Sequence, residues 1–164
     1  MQAIAPGLAT AVFPSIGIAI AATLLWGYSM LFGAFIGSFV LVFSIGDWPD
    51  SSLWQEQLRH CFSMAAITVL TVALAVWSVR RFADFHTALT HERSIIGLFI
   101  LAGPVACLVS SGLSTAVLLQ GNLLSVDNIQ QNWLTWWIGD MLGVMIFLPL
   151  TFMLFARPLS LIHI

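Results

Sequence analysis

One acidic residue, Asp140, lies inside a long apolar run, where an ionised side chain is costly. It is preceded at three and four positions by the aromatic pair Trp137 and Trp136. A carboxylate in such a run must face a partner or a water-filled cavity, and by default it marks a functional residue. A structural hydrogen bond to another helix explains it equally well. We therefore expect Asp140, Trp136 and Trp137 to form either a functional site or a structural polar core.

A second group of reactive side chains lies in a polar segment farther upstream. It contains four side chains that could bind a metal ion: Asp84, His86, His91 and Glu92. Their spacing matches no standard metal site, so we interpret the segment as a solvated loop and predict neither a metal site nor a catalytic residue. The sequence also lacks the motifs of nucleotide-binding proteins and of common hydrolases, and we expect no cofactor.

The two cysteines, Cys61 and Cys107, both fall in apolar stretches. They show no metal-binding or redox spacing, so we predict that they are small core residues.

Small residues recur at intervals that suit helix packing in a membrane. Gly33 and Gly37 form one such step, and Gly139 and Gly143 form another. Glycine lets two helix backbones approach closely in lipid, so we predict that these four positions pack against neighbouring helices. A hydroxyl cluster accompanies them, made of Ser110, Ser111, Ser114 and Thr115. These hydroxyls could bond to Asp140 across helices or to carbonyls of their own helix.

The composition indicates that these residues lie in membrane-spanning helices. Of 164 residues, 60% are hydrophobic and only 7% are charged, and the mean hydropathy is +1.00. An ordinary soluble domain is about 25% charged, and a bilayer span needs about 20 mainly apolar residues. We predict an all-α, polytopic transmembrane helix bundle with about five spans. They cover residues 8–28, 30–45, 58–79, 94–119 and 133–155, with a turn at Gly27-Tyr28-Ser29 and a kink at Gly103-Pro104.

The arginines predict how the bundle is oriented. The net charge is −2, there is no lysine, and three of the five arginines lie between residues 80 and 93. Arg157 follows the last span. Loops rich in Arg stay in the cytoplasm, so residue 1 is expected outside and the C-terminus inside. Trp26 and Trp77 then fall at the inner interface. No basic patch suited to nucleic acid is present, and the lipid bilayer is the expected partner.

Several stretches resemble the first membrane-associated sensor (MASE) domain family. Phe-Pro-Ser-Ile-Gly-Ile-Ala at residues 13–19 is similar to the family's W-P-x-x-G-I-A entry motif, with Phe13 in place of Trp. Residues 25–28 and 32–37 resemble its next helix pair. The most specific match is to the W-W-x-G-D-x-x-G hallmark within residues 133–143, followed by Leu-Pro-Leu at 148–150.

The resemblance implies a sensory input domain in a bacterial inner (plasma) membrane. It also implies a cytoplasmic output module on the C-terminal side, either a histidine kinase of a two-component system or a cyclic-di-GMP enzyme. The domain itself is then not an enzyme. Asp140, Trp136 and Trp137 become candidate signal-sensing residues, and pairing of two copies is expected by analogy. The ligand is unknown.

The family usually has about eight helices, so five spans would leave the domain incomplete over residues 1–158. Residues 159–164 read like the translation of a transposase-type sequencing adapter. We therefore expect the natural sequence to end near Pro158 and the chain to be a truncated fragment.

Three other functions compete with sensing. A small-solute transporter or permease component would be favoured by an inverted repeat or a second intramembrane charge. A lipid-modifying membrane enzyme would need paired acids or histidines near one interface. A scaffolding role would show the same small-residue packing.

Overall fold

A computed structural model describes residues 13–45, 54–82, 97–121 and 123–155, and most of these residues are helical. Five helices follow one another along the chain: α1 (Pro14–Trp26), α2 (Met30–Ile45), α3 (Trp54–Phe82), α4 (Gly97–Gln120) and α5 (Ile129–Phe155). A single 3₁₀ turn, Val126–Asn128, precedes α5. The described residues contain no strand, which confirms the predicted all-α membrane bundle.

The helices differ in whether they are long enough to cross a bilayer. Helices α3, α4 and α5 are long and apolar enough to do so. Helix α2 matches the predicted bounds, but its 16 residues extend only about 24 Å, against a hydrocarbon core of about 30 Å. Helix α1 has 13 residues, and the upstream part of its predicted span lies outside the described residues. Within the described residues, three of the five predicted spans are therefore of full length.

The predicted kink in α4 is a short π-helical segment, Leu101–Val105, which contains Gly103 and Pro104. Proline has no N–H and its ring collides with the carbonyl one turn earlier, so regular α-helical bonding fails there. The wider π turn absorbs that conflict while the helix continues on both sides.

Helices α1 and α2 form a tight hairpin at the predicted turn. Gly27 has φ 93°, a left-handed conformation that glycine adopts without strain. Its N–H donates to the Thr23 carbonyl at 3.0 Å, and the Met30 N–H donates back to the Gly27 carbonyl at 3.2 Å. These bonds end α1 and allow α2 to start within three residues.

The C-terminal ends of α1, α3 and α5 lie at one end of the bundle. Arg80 near the end of α3 donates a hydrogen bond to Thr23 of α1, and Trp26 packs edge-on against Phe155 of α5. This parallel arrangement agrees with the topology predicted from the arginines, in which all three of these ends are cytoplasmic. Trp26 and Trp77 are half exposed there, as expected for rings in the headgroup zone.

The main core lies between α1, α3, α4 and α5. Its fully buried side chains include Ile20 of α1, Val76 of α3 and Leu148 of α5. Helix α2 has no buried residue and lies at the edge of the bundle. It packs on α3 through Phe35 against Phe62, at 5.3 Å between ring centroids. The polar residues singled out in the sequence therefore belong to the α4 and α5 part of the bundle.

Candidate functional site between α4 and α5

Asp140 lies deep within α5. It is eleven residues after Ile129 and fifteen before Phe155, so it is roughly 16 Å from one end of the helix and 22 Å from the other. Its relative exposure is 8%. Asp140 is the only acidic or basic residue that is buried in the described part of the chain. Its carboxyl must therefore find its partners inside the protein.

The carboxyl of Asp140 faces α4. The Ser110 hydroxyl and the Cys107 thiol of α4 both lie close enough to interact with it. Within the hydroxyl cluster, Ser111 donates to the Leu108 carbonyl of its own helix at 3.1 Å, whereas Ser110 lies beside Asp140 of α5.

The π turn of α4 is tied to α5 by Trp137. The indole Nε1–H of Trp137 donates to the carbonyl oxygen of Pro104 at 3.1 Å. The ring of Trp133 stacks on Trp137, at 5.8 Å between centroids and 14° between planes. A donor placed on a carbonyl of an irregular helical segment stabilises that segment, because such carbonyls otherwise stay unpaired in an apolar medium.

Trp136 faces a different direction from Trp137. Its ring packs against a separate small cluster formed by Met64, Ile67 and Leu118, whereas Trp137 packs against the main core. Consecutive residues on a helix are about 100° apart, so the two rings point in different directions. Trp137 contacts the π turn of α4, whereas Trp136 packs between α3 and Leu118 of α4.

Asn132 belongs to the same interface, although the sequence did not single it out. Its Nδ2 donates to the Thr115 Oγ1 at 3.3 Å, one residue before Trp133 of the stacked pair. Polar contacts between the two helices therefore begin at Asn132 and end at Asp140. A spacing of four residues relates Asn132 to Trp136 and Trp133 to Trp137, which is a helical-face pattern that could have revealed this interface.

The other face of α5 is in close contact with α1. A Cβ built on Gly143 would collide with the backbone carbonyl of Phe13, and one on Gly17 would lie 3.0 Å from the Gly143 carbonyl carbon. The N–H of Phe13 also donates to the Gly139 carbonyl at 3.2 Å. The two sequence motifs that carried the family resemblance thus pack directly against each other.

The predicted packing glycines of α2 have no such contact. A Cβ built on Gly33 or Gly37 would meet no atom of the described residues within 4 Å, and both glycines are exposed.

The described residues contain no group of three or more side chains that could hold a metal ion. The loop residues Asp84, His86, His91 and Glu92 lie outside the described part of the chain. Cys61 and Cys107 are buried free thiols on different helices, in agreement with their predicted place in the core.

Comparison with known proteins gives one clear result. The model of the MASE1 family matches residues 1–163, which is nearly the whole chain. No curated protein and no solved structure matches the sequence.

Proposed function

The chain belongs to the MASE1 family of membrane-embedded sensory domains of signalling proteins, and from that premise we propose that it perceives its signal at the interface around Asp140. The observation that supports this is the burial of one carboxyl deep between α4 and α5, beside the Ser110 hydroxyl. Such a group is costly in a membrane, and a hydrophobic residue would pack there without that cost.

The signal would act by changing how α4 and α5 fit together. A ligand or membrane partner that competes for the Asp140 carboxyl would favour one helix arrangement over another, and only such differential contact can shift the equilibrium between them. The π turn at Pro104 gives α4 an irregular segment next to this site, held by Trp137. Small slides of packed helices are a common form of such switching.

Helix α5 would carry the change to the cytoplasm. It contacts α1 at Gly143 and again at its far end, where Phe155 meets Trp26. We propose that the domain lies in a bacterial inner membrane and controls a histidine kinase or a cyclic-di-GMP enzyme placed after α5.

The first experiment is to recover the full gene from its genomic neighbourhood and to determine the sequence beyond Pro158. A kinase, GGDEF or EAL module after further spans would support the sensory proposal. A second set of spans that repeats the first in inverted topology, without a soluble output module, would contradict it and indicate a transporter.

The second experiment tests the site. Asp140→Asn keeps the size of the side chain but removes its charge, and the output activity of the full-length protein is measured in membranes. We expect at least a severalfold change in activity. Asp127→Asn is the matched control, because Asp127 is exposed on the turn before α5. Equal output from the Asp140→Asn variant and the wild type would remove Asp140 from the sensing role.

A further inference from the structure

Two consecutive arginines, Arg80 and Arg81, lie in the last turn of α3, at the predicted cytoplasmic end of the bundle. Neither arginine has an acidic partner in the described residues. The only ion pair there joins Arg59 to Glu56, at the opposite end of the same helix. Exposed positive charge at the cytoplasmic membrane surface attracts the anionic lipids of that leaflet.

The Arg80 guanidinium is held in place but keeps most of its donors. Its Nη2 donates to the Thr23 carbonyl at 3.3 Å, and its carbon lies 4.9 Å from the centroid of the Tyr28 ring. A guanidinium carries five N–H donors in a fixed planar fork. One of these donors binds the Thr23 carbonyl, and the Arg80 side chain as a whole is exposed. Arg80 is therefore ordered before any anion binds, which lowers the entropy cost of binding.

The Arg81 guanidinium lies beside an apolar surface. Its carbon is 5.7 Å from the Phe82 ring centroid, and Phe82 meets the Trp77 ring edge-on at 6.0 Å. Trp77 and Arg81 are one turn apart and share a face of α3. Trp77 and Phe82 are 54% and 67% exposed. Aromatic rings at this position suit the boundary between headgroups and acyl chains.

We propose that the end of α3 and the α1–α2 turn form a binding site for an anionic phospholipid. The guanidinium groups of Arg80 and Arg81 bind its phosphodiester, since the planar fork matches phosphate oxygens. Trp77 and Phe82 contact the glycerol and the first acyl carbons. A soluble phosphate would leave these two exposed rings uncovered, so the arrangement suits a lipid rather than a free anion.

The test measures lipid retention by native mass spectrometry of the full chain released from micelles. The micelles contain equal amounts of phosphatidylglycerol and phosphatidylcholine. The wild type is expected to retain phosphatidylglycerol preferentially. Arg81→Gln should lower that retention about fivefold, and Arg80→Gln/Arg81→Gln should lower it further, because one charge near the surface contributes about that factor. Arg59→Gln is the control, since it removes an arginine from the other end of α3.

Three results would overturn the proposal. The first is equal retention of the two lipids by the wild type, and the second is a loss in Arg59→Gln that matches the loss in Arg81→Gln. The third is displacement of the lipid by millimolar inorganic phosphate, which would indicate a soluble-anion site. If the double variant misfolds, the single variant Arg81→Gln still tests the site, because it keeps the Arg80 hydrogen bond to the Thr23 carbonyl.

Discussion

Gly143 of α5 lies directly against the backbone carbonyl of Phe13, the residue that precedes α1. No side chain larger than hydrogen fits between them. The neighbouring Gly139 carbonyl accepts the Phe13 N–H, so the two chain segments are joined by a backbone hydrogen bond as well as by close packing. In lipid there is no hydrophobic force between helices, and contacts of this kind hold them together.

Gly143→Ala should therefore destabilise the domain strongly. The added methyl group meets backbone atoms, which cannot move aside as the end of a flexible side chain can. We expect a loss of about 2 kcal/mol in the free energy of unfolding, near the middle of the range for overpacked cores. Unfolding by SDS in mixed micelles, followed by tryptophan fluorescence, measures this difference.

The control for that variant is Gly37→Ala. Gly37 has the same residue type in a helix of the same bundle, but nothing within 4 Å of the new methyl group. We expect a change below about 0.5 kcal/mol, as for other exposed positions. An equal loss of unfolding free energy in both variants would contradict the close contact between α1 and α5.

Helix bounds and breaks could be predicted from local sequence. The bounds of α2, the turn at Gly27 and the irregular segment at Pro104 each depend on residues within one turn, and all three predictions were confirmed. Proline and glycine limit the backbone wherever they occur. Gly143 shares its helical face with a second glycine, Gly139, and a side chain at position 143 would meet the Phe13 backbone.

The directions of side chains could not be predicted in the same way. Gly33 and Gly37 show the same spacing as Gly139 and Gly143, yet they face away from the described helices. Lipid and protein are equally apolar, so hydropathy does not separate a lipid-facing stripe from a helix contact. For the same reason the sequence predicts one shared role for Trp136 and Trp137, although the two rings pack against different clusters.

Ser110→Ala should destabilise the domain through Asp140. The substitution removes a hydroxyl that lies beside the buried Asp140 carboxyl, and a buried polar group that loses its partner costs about 1–3 kcal/mol. Ser63→Ala is the control, because the Ser63 hydroxyl donates only to the Arg59 carbonyl of its own helix, at 2.8 Å. SDS unfolding of both variants provides the comparison.

A double-mutant cycle then assigns the Ser110 effect to the pair. We expect Ser110→Ala and Asp140→Ala to be non-additive by about 1 kcal/mol, as for residues in direct contact. Strict additivity would show that the two side chains stabilise the interface separately.

Trp137→Phe should loosen the π turn of α4. The phenyl ring keeps most of the packing but cannot donate to the Pro104 carbonyl, which Trp137 reaches at 3.1 Å. We expect faster hydrogen exchange at the amides of residues 105–108 and a loss of about 1 kcal/mol in stability. Trp136→Phe is the matched control, since Trp136 packs against Leu118 and its cluster instead. Equal exchange in the two variants would contradict the role of the indole N–H.

The position of α2 can be tested by a disulfide between Ser38→Cys and Thr68→Cys. The two native hydroxyl oxygens are 2.9 Å apart across α2 and α3, so the Cβ atoms lie within reach of a disulfide bond. We expect rapid cross-linking with a mild oxidant, detected by peptide mapping that separates the new bond from Cys61 and Cys107. Gly37→Cys with Thr68→Cys should not cross-link within one chain, because position 37 faces open space. Efficient bonding in that control pair would place α2 in a different rotation about its axis.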